Sequence, residues 1–326
     1  MPAINNSRRT PLRLFLDSPT PRLYDRTVET VQLTIRSGHD MLPTARLGQI
    51  IGDQLERAIY TPLKTVADEF GLYLDFKHER PARGGRRAVA WKDKYGNVHD
   101  LDYVLEEGGS EDVLGRPRAF IESAWRRYTK HSRNKAQEIQ GAIAPLAETY
   151  HDCHPFLGAI LAGEYTEGSL AQLRSHKFNL VYCRYDTIVQ AFATEGVDVS
   201  TEEDTSEVEL QRKVESFDKL SEAQRENIAY KIRELNAAEF KAFFAALRAC
   251  LDRRIEHVFV LTLSGLSRQL ESIEDAVRFV EENDEEAPVS EFIRYELTIR
   301  YTNGDEVRGS FREKSKAIGF LRSLEL

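Results

Sequence analysis

Along this chain the apolar positions switch between a helical period and a strict alternation, and the switching predicts the architecture. Over residues 44–70, Leu47, Ile50, Ile51, Leu55, Ile59, Leu63, Val66 and Phe70 recur at helical spacing, predicting one long amphipathic helix with a bend point at Pro62. Gly71 ends it, and residues 72–76 read as a strand. The stretch 88–105 alternates around a turn at Lys94-Tyr95-Gly96-Asn97, so a hairpin is expected with its second strand over 98–105. A strand over 119–125, a helix capped by Ser132 and reaching Tyr150, and a buried strand over 156–162 follow. A helix over 166–175, a strand over 178–183 and a helix from Asp186 to Ala193 complete a β-β-β-α-β-α-β-α order behind the first helix. That order is a mixed α/β layer architecture.

The flanks read differently. Residues 1–43 hold turn formers around one alternating run, 28–35, and predict an irregular arm with a single strand. Residues 201–218 (TEEDTSEVELQRKVESFD) read as an acidic linker leading into helices. Two capping-box patterns, Ser221 with Gln224 and Asn236 with Glu239, open helices that reach Leu251. Beyond them the pattern predicts a strand over 257–263, a helix over 267–280, an acidic turn over 281–288, a hairpin over 292–311 around Asn303-Gly304, and a final helix over 314–324. No repeat of fixed period is visible. The expected organisation is an arm (1–43), an α/β core (44–200) and a C-terminal α+β extension (201–326).

Composition narrows the class of protein. With 326 residues, 41% hydrophobic and 30% charged, the chain is ample for a globular core and unlike a disordered one. The longest apolar stretch, 156–162, is far short of a membrane span, and the N-terminus shows no apolar signal-peptide core. Three widely spaced cysteines, Cys153, Cys183 and Cys250, argue for reduced thiols, so a cytoplasmic protein without membrane association is expected. The net charge of −8 argues against a nucleic-acid partner only as an average. Residues 116–135 carry seven Lys and Arg against the single acid Glu122, and residues 77–94 carry seven against Glu79 and Asp93. The acid excess lies largely in 202–218 and 281–286.

The candidate chemistry sits inside the basic stretch. Asp102 falls late in one predicted strand and Glu122 in the middle of the next, flanked by Phe120 and Ile121. If the strands pair, both carboxylates converge and can bind Mg2+, with the Ser123 carbonyl as a third ligand. Such an ion activates water and offsets charge on a phosphodiester. The competing reading is that both acids are strand-end residues paired with neighbouring arginines. His151-Asp152-Cys153-His154 lacks the second Cys/His pair of a zinc finger. Neither GxSxG nor a glycine-rich phosphate loop is present.

Asp102, nineteen intervening residues and a strand-centred Glu122 resemble the PD-(D/E)XK nucleases, in particular type II restriction endonucleases, over residues 44–193. The resemblance implies a restriction-endonuclease-like mixed sheet flanked by helices, double-stranded DNA as substrate, Mg2+ held by Asp102, Glu122 and Ser123, and, for a cutter of palindromes, a homodimer. Glu56 on the first helix would be the additional acid some members place there. One departure is serious: the lysine expected two residues after the glutamate is Ala124. Lys135, in the first turn of the next helix on the face shared by 139, 142 and 146, is the leading substitute, with Lys130 an alternative. Arg83, Arg86, Arg87, Arg126, Arg127 and Arg133 would track phosphates. Two other readings stay open: a catalytically dead DNA-binding protein of the same fold, motivated by Ala124, and a protein-interaction subunit acting through its acidic C-terminal region.

Overall fold

Residues 41–262, 266–283 and 292–325 are described by a computed structural model. The strand expected over 28–35 and most of the acidic turn over 281–288 lie outside them. The first helix, α1 (Pro43–Glu69), has Pro43 in its first turn, where the missing N–H costs nothing, and carries Pro62 in its interior. Its apolar face, from Leu47 to Ala67, is fully buried. It lies on a five-stranded sheet of order β1-β4-β5-β6-β7, made by β1 (Tyr73–Asp75), β4 (Tyr103–Glu107), β5 (Arg116–Arg126), β6 (Phe156–Gly163) and β7 (Asn179–Arg184). β1, β4 and β5 pair antiparallel, whereas β5, β6 and β7 are parallel. The parallel strands are joined by crossover helices α2 (Ser132–Thr149) and α3 (Glu167–Ser175).

The sheet lies between two apolar layers. α1, α4 (Tyr185–Ala193), α5 (Glu207–Asp218), α6 (Glu222–Leu235) and α7 (Ala237–Leu251) bury one face. α2, α3 and a separate hairpin, β2 (Val89–Lys92) with β3 (Val98–Leu101), cover the other. Burial on both faces explains why β5 and β6 read as nearly continuous apolar runs. This is a mixed α/β fold with a mixed sheet flanked by helices.

A second sheet, of order β11-β10-β8-β9, follows: β8 (Ile255–Thr262), β9 (Leu266–Leu270), β10 (Tyr295–Tyr301) and β11 (Glu306–Phe311). α8 (Ile273–Glu282) and α9 (Lys314–Ser323) pack with it around Val258, Val260, Leu297 and Ile299. Each helix follows a pair of strands, so the sheet consists of two successive ββα units. Ala276 and Val280 of α8 correspond to Ala317 and Leu321 of α9, all fully buried. Among the described residues no helix is long and apolar enough to cross a membrane, and the three cysteines are free.

Several expectations need correction. The strand expected over 98–105 is broken at Asp102, where the chain passes from the hairpin into the large sheet. Residues 207–218 of the expected linker are helix α5, capped by Ser206, whose side chain accepts from Glu209 N, and anchored through Leu210, Val214 and Phe217. The helix expected over 267–280 is strand β9 followed by α8, because pairing with β8 overrides the local period. The Ser221–Gln224 capping box forms. At Asn236 it does not, since Asn236 Nδ2 donates back to the Ile232 carbonyl at 2.8 Å. Ser132 is the first residue of α2 rather than its cap, and its hydroxyl bonds Thr129 O and Ser169 Oγ. Asp186 lies inside the first turn of α4, behind the cap position at Arg184.

One buried network fastens the sheet edge. Arg80, wholly buried, donates through Nη1 to Glu106 Oε1 at 2.5 Å and through Nη2 to Glu106 Oε2 at 3.0 Å, and lies 2.8 Å from Asp75. It also donates to the carbonyls of Ser110 and Val113, which ties the acidic glycine-rich loop to β4. Arg80→Met would leave buried Glu106 without its guanidinium and buried Asp75 with Arg83 as its remaining cation. A loss of about 3–5 kcal/mol in urea denaturation at neutral pH is expected, against less than about 1 kcal/mol for an exposed control such as Arg86→Met.

Candidate active site

The site begins with the break between β3 and β4. β4 pairs with β5 as far as Tyr103, opposite Ile121, with one register shift between Leu105 and Glu106. One residue earlier the chain has turned away, for Leu101 pairs with Val89 in the hairpin. The N–H of Ser123 thereby loses a ladder partner in a strand buried on both faces. Asp102 replaces it: Ser123 N donates to Asp102 Oδ2 at 2.7 Å, and Ser123 Oγ donates to the same oxygen at 3.0 Å. A strand residue's carbonyl points to the same edge as its N–H, so the Ser123 carbonyl faces this gap as well. Tyr103, also buried, donates its hydroxyl to the Glu56 carbonyl at 3.0 Å, which ties this corner of the sheet to α1.

Glu122 lies one residue from Ser123 and points to the opposite face, the face of Phe120 and Ala124 beneath α2. It is only 7% exposed. Burial, and after it the negative charge of Asp102, push its carboxyl up to about 8, with Lys135 opposing and Glu56 and Asp100 adding to the rise. Glu56, half-buried on α1, is pushed up to about 7 by burial first and then by Asp102 and Asp53, with Lys77 opposing. Asp53 is itself raised, mainly by burial. The acids around Asp102 thus hinder one another's ionisation, the stress that a bound cation relieves. They do not form a ready-made cage: among the described residues no three His, Cys, Asp or Glu side chains are grouped closely enough to hold a metal.

The predicted basic residues divide into three groups. Lys135 sits in the first turn of α2, is 19% exposed, and pairs with Glu138 at 3.5 Å. Arg126 reaches the same Glu138 at 3.7 Å, so one acid holds two cations on the Glu122 side of the sheet. Arg86, Arg87 and Arg133 are exposed, the first two in the loop that leads into β2. The third group is engaged within the fold. Arg83 is buried, paired with Asp75 at 3.2 Å and donating to the carbonyls of Phe76, His78 and Ala88, so it is a structural residue and not a phosphate contact. Arg127 is bound to Thr201 and lies 3.7 Å from Glu202, and Lys130 reaches Glu203 at 3.2 Å. Of the two candidate lysines, Lys135 is the one whose charge acts on Glu122.

Ala124 is 6% exposed in a cluster with Val104, Phe120 and Leu161. A lysine there would need to carry its ammonium past apolar neighbours, whereas α2 presents Lys135 from the rim. Sequence reasoning missed Asp53, Lys77, Asp100 and Glu138. Two of these were within reach of spacing arguments: Asp53 lies three residues before Glu56 on α1, and Asp100 two before Asp102.

No family model, no curated protein and no solved structure matches this chain.

The raised Glu122 carboxyl has a consequence for stability. A carboxyl that holds its proton more tightly when folded favours the fold below its unfolded value near 4.5, and that contribution is lost as pH climbs toward about 8. Between about pH 5.5 and about pH 8.5 the metal-free chain should lose about 3 kcal/mol through this group, as read by urea denaturation. Glu122→Gln should flatten most of that slope. An unaltered slope in the variant would show that Glu122 is ionised in the fold.

Proposed function

We propose that this chain is a magnesium-dependent DNA endonuclease with a restriction-endonuclease-like core, resembling the PD-(D/E)XK nucleases and, among them, type II restriction enzymes. The observation that carries the reading is the junction at Asp102. There a side-chain carboxylate takes over a ladder bond, beside a Glu122 whose ionisation is suppressed by burial and then by its acidic neighbours, and favoured by Lys135. The order long helix, antiparallel strands, helix, parallel strand supports the same reading.

The residues fit a magnesium ion in kind. Mg2+ takes one or two protein carboxylates and keeps waters and substrate oxygens for the rest. Asp102 and Glu122 supply such a pair with the Ser123 carbonyl beside them, and Glu56 stands by on α1. When bound, the ion lowers the pKa of a water and offsets charge developing on the phosphodiester. The chain's own groups do the remainder. Lys135 takes the role of the absent motif lysine and presents a cation to the scissile phosphate from the helix rim. Ser123, through its N–H and hydroxyl, holds the Asp102 carboxylate in one rotamer. Arg86, Arg87 and Arg133 contact the backbone of double-stranded DNA, and a homodimer would present two such sites to a palindrome.

Plasmid cleavage in the presence of magnesium is the direct test. Asp102→Ala and Glu122→Ala should reduce cleavage to background, and Lys135→Ala should cost about 10²–10³-fold, with Lys130→Ala far milder. Glu122→Gln keeps the volume of the buried side chain and should abolish cleavage as Glu122→Ala does, so that the loss is not traced to a cavity. Wild-type cleavage that persists in both acid variants would refute the assignment. A second reading rests on the packed Ala124: a DNA-binding protein of the same fold without catalysis. It predicts retained duplex binding with no cleavage under magnesium or manganese.

A further inference from the structure

Two cations at the exit of β5 are already occupied by oxygens of the same chain. Arg127 Nε donates to the Thr201 carbonyl at 2.9 Å and to Thr201 Oγ1 at 3.1 Å, its guanidinium stacks 4.0 Å from the Tyr185 ring, and Glu202 lies 3.7 Å away. Lys130 Nζ lies 3.2 Å from Glu203. The segment that supplies these acids is short and fastened along its length. Thr201 N donates to the Tyr185 hydroxyl at 2.9 Å, Glu202 N donates to Thr205 Oγ1 at 2.7 Å, and Ser206 caps α5. Its backbone is therefore held, while the Glu202 and Glu203 side chains stand 82% and 72% exposed. Side chains so exposed exchange partners at little cost.

We propose that Glu202 and Glu203 form an acidic rim that competes with phosphate for Arg127 and Lys130, and so sets how tightly the basic face holds DNA regardless of sequence. The proposal rests on the DNA-binding reading above and deepens it. A phosphate reaching either cation displaces a resident carboxylate, so its gain is the difference between two ion pairs. The displaced carboxylate recruits a solvent cation, which offsets part of the counterion release that drives binding to a polyanion. The rim therefore lowers sequence-independent affinity and flattens its salt dependence. Binding that also makes contacts elsewhere on the face is penalised proportionately less.

The test is fluorescence anisotropy of the full chain on a labelled duplex of mixed sequence, without divalent metal, over a series of salt concentrations. Glu202→Gln with Glu203→Gln should bind about 3- to 10-fold more tightly at low salt, and the slope of log affinity against log salt should steepen by up to about 2. Adding Lys130→Gln should take back part of the gain. Glu271→Gln with Glu274→Gln, an equal charge change at exposed positions beside the second sheet, should leave affinity nearly unchanged. If that control gains as much as the rim variant, net charge alone is responsible and the proposal falls. Wild-type binding that is intact and identical in the rim variant overturns the rim and leaves the DNA reading standing. Absence of binding in both proteins overturns the two together.

Discussion

The bond from Ser123 N–H to the Asp102 carboxylate is the constraint on which the site depends. β5 is buried on both faces, and an amide left without a partner in such a strand costs about 1–3 kcal/mol. The chain nevertheless leaves the ladder one residue before Tyr103 to build the β2–β3 hairpin. A short carboxylate at the point of departure satisfies the N–H, and Ser123 reinforces it with its hydroxyl. The exchange has two effects. It fixes Asp102 at the edge of the sheet, and it leaves the β5 edge beyond Ile121 without a neighbouring β4 strand. Asparagine could satisfy the same donor, so hydrogen bonding alone does not require a charge at 102.

A comparison within the same strands separates structural charge from functional charge. Glu106 on β4 and Glu122 on β5 are both buried, Glu106 completely. Glu106 meets both arms of the Arg80 guanidinium and the N–H of Gly115 at 2.7 Å, so its burial is compensated. Burial raises the Glu122 carboxyl to about 8, with the charges of Asp102, Glu56 and Asp100 adding to the rise and Lys135 opposing it. A fold shaped only for stability has no use for a buried acid among acids, and apolar Phe120 and Ala124 on the same face show what packing there prefers. On the nuclease reading, this raised carboxyl is where the chain gives up stability for chemistry.

Much of the main sheet was legible because burial on two faces writes itself into sequence. β5, β6 and β7 appear as apolar runs within a few residues of their limits, and α1 as an unbroken helical period. Glu122 was conspicuous for the same reason, as a charge inside an apolar strand. The errors fall where tertiary pairing or side-chain bonding decides. β9 exists because β8 offers it an edge. The break at Asp102 is invisible in an alternation that continues through it. Asn236 satisfies a carbonyl behind it instead of an amide ahead. The two ββα units share burial at matching positions of α8 and α9 with little residue identity, so a search for fixed-period repeats passes over them.

The basic residues show the limit of counting charges. Of the seven in residues 77–94, Arg80 and Arg83 are interior residues holding Asp75 and Glu106, and Lys94 is tied to Glu148 on α2 at 2.6 Å. Of the seven in residues 116–135, Arg118 is buried against Glu107 and the Leu251 carbonyl, and Arg127 and Lys130 face the acids of residues 202–203. The local excess over a chain of net charge −8 is therefore much smaller at the surface than in the sequence. What stays open to a polyanion among the described residues of these two stretches is reduced: Lys77, Arg86, Arg87 and Lys92 from the first, and Arg133, two residues before Lys135 at the start of α2, from the second. On the nuclease reading, affinity cannot come from a broad positive face. It must come from a few cations placed around the acid pair, together with the charge of the ion that the pair would hold, which ties tight binding of the phosphodiester to occupancy of the metal site.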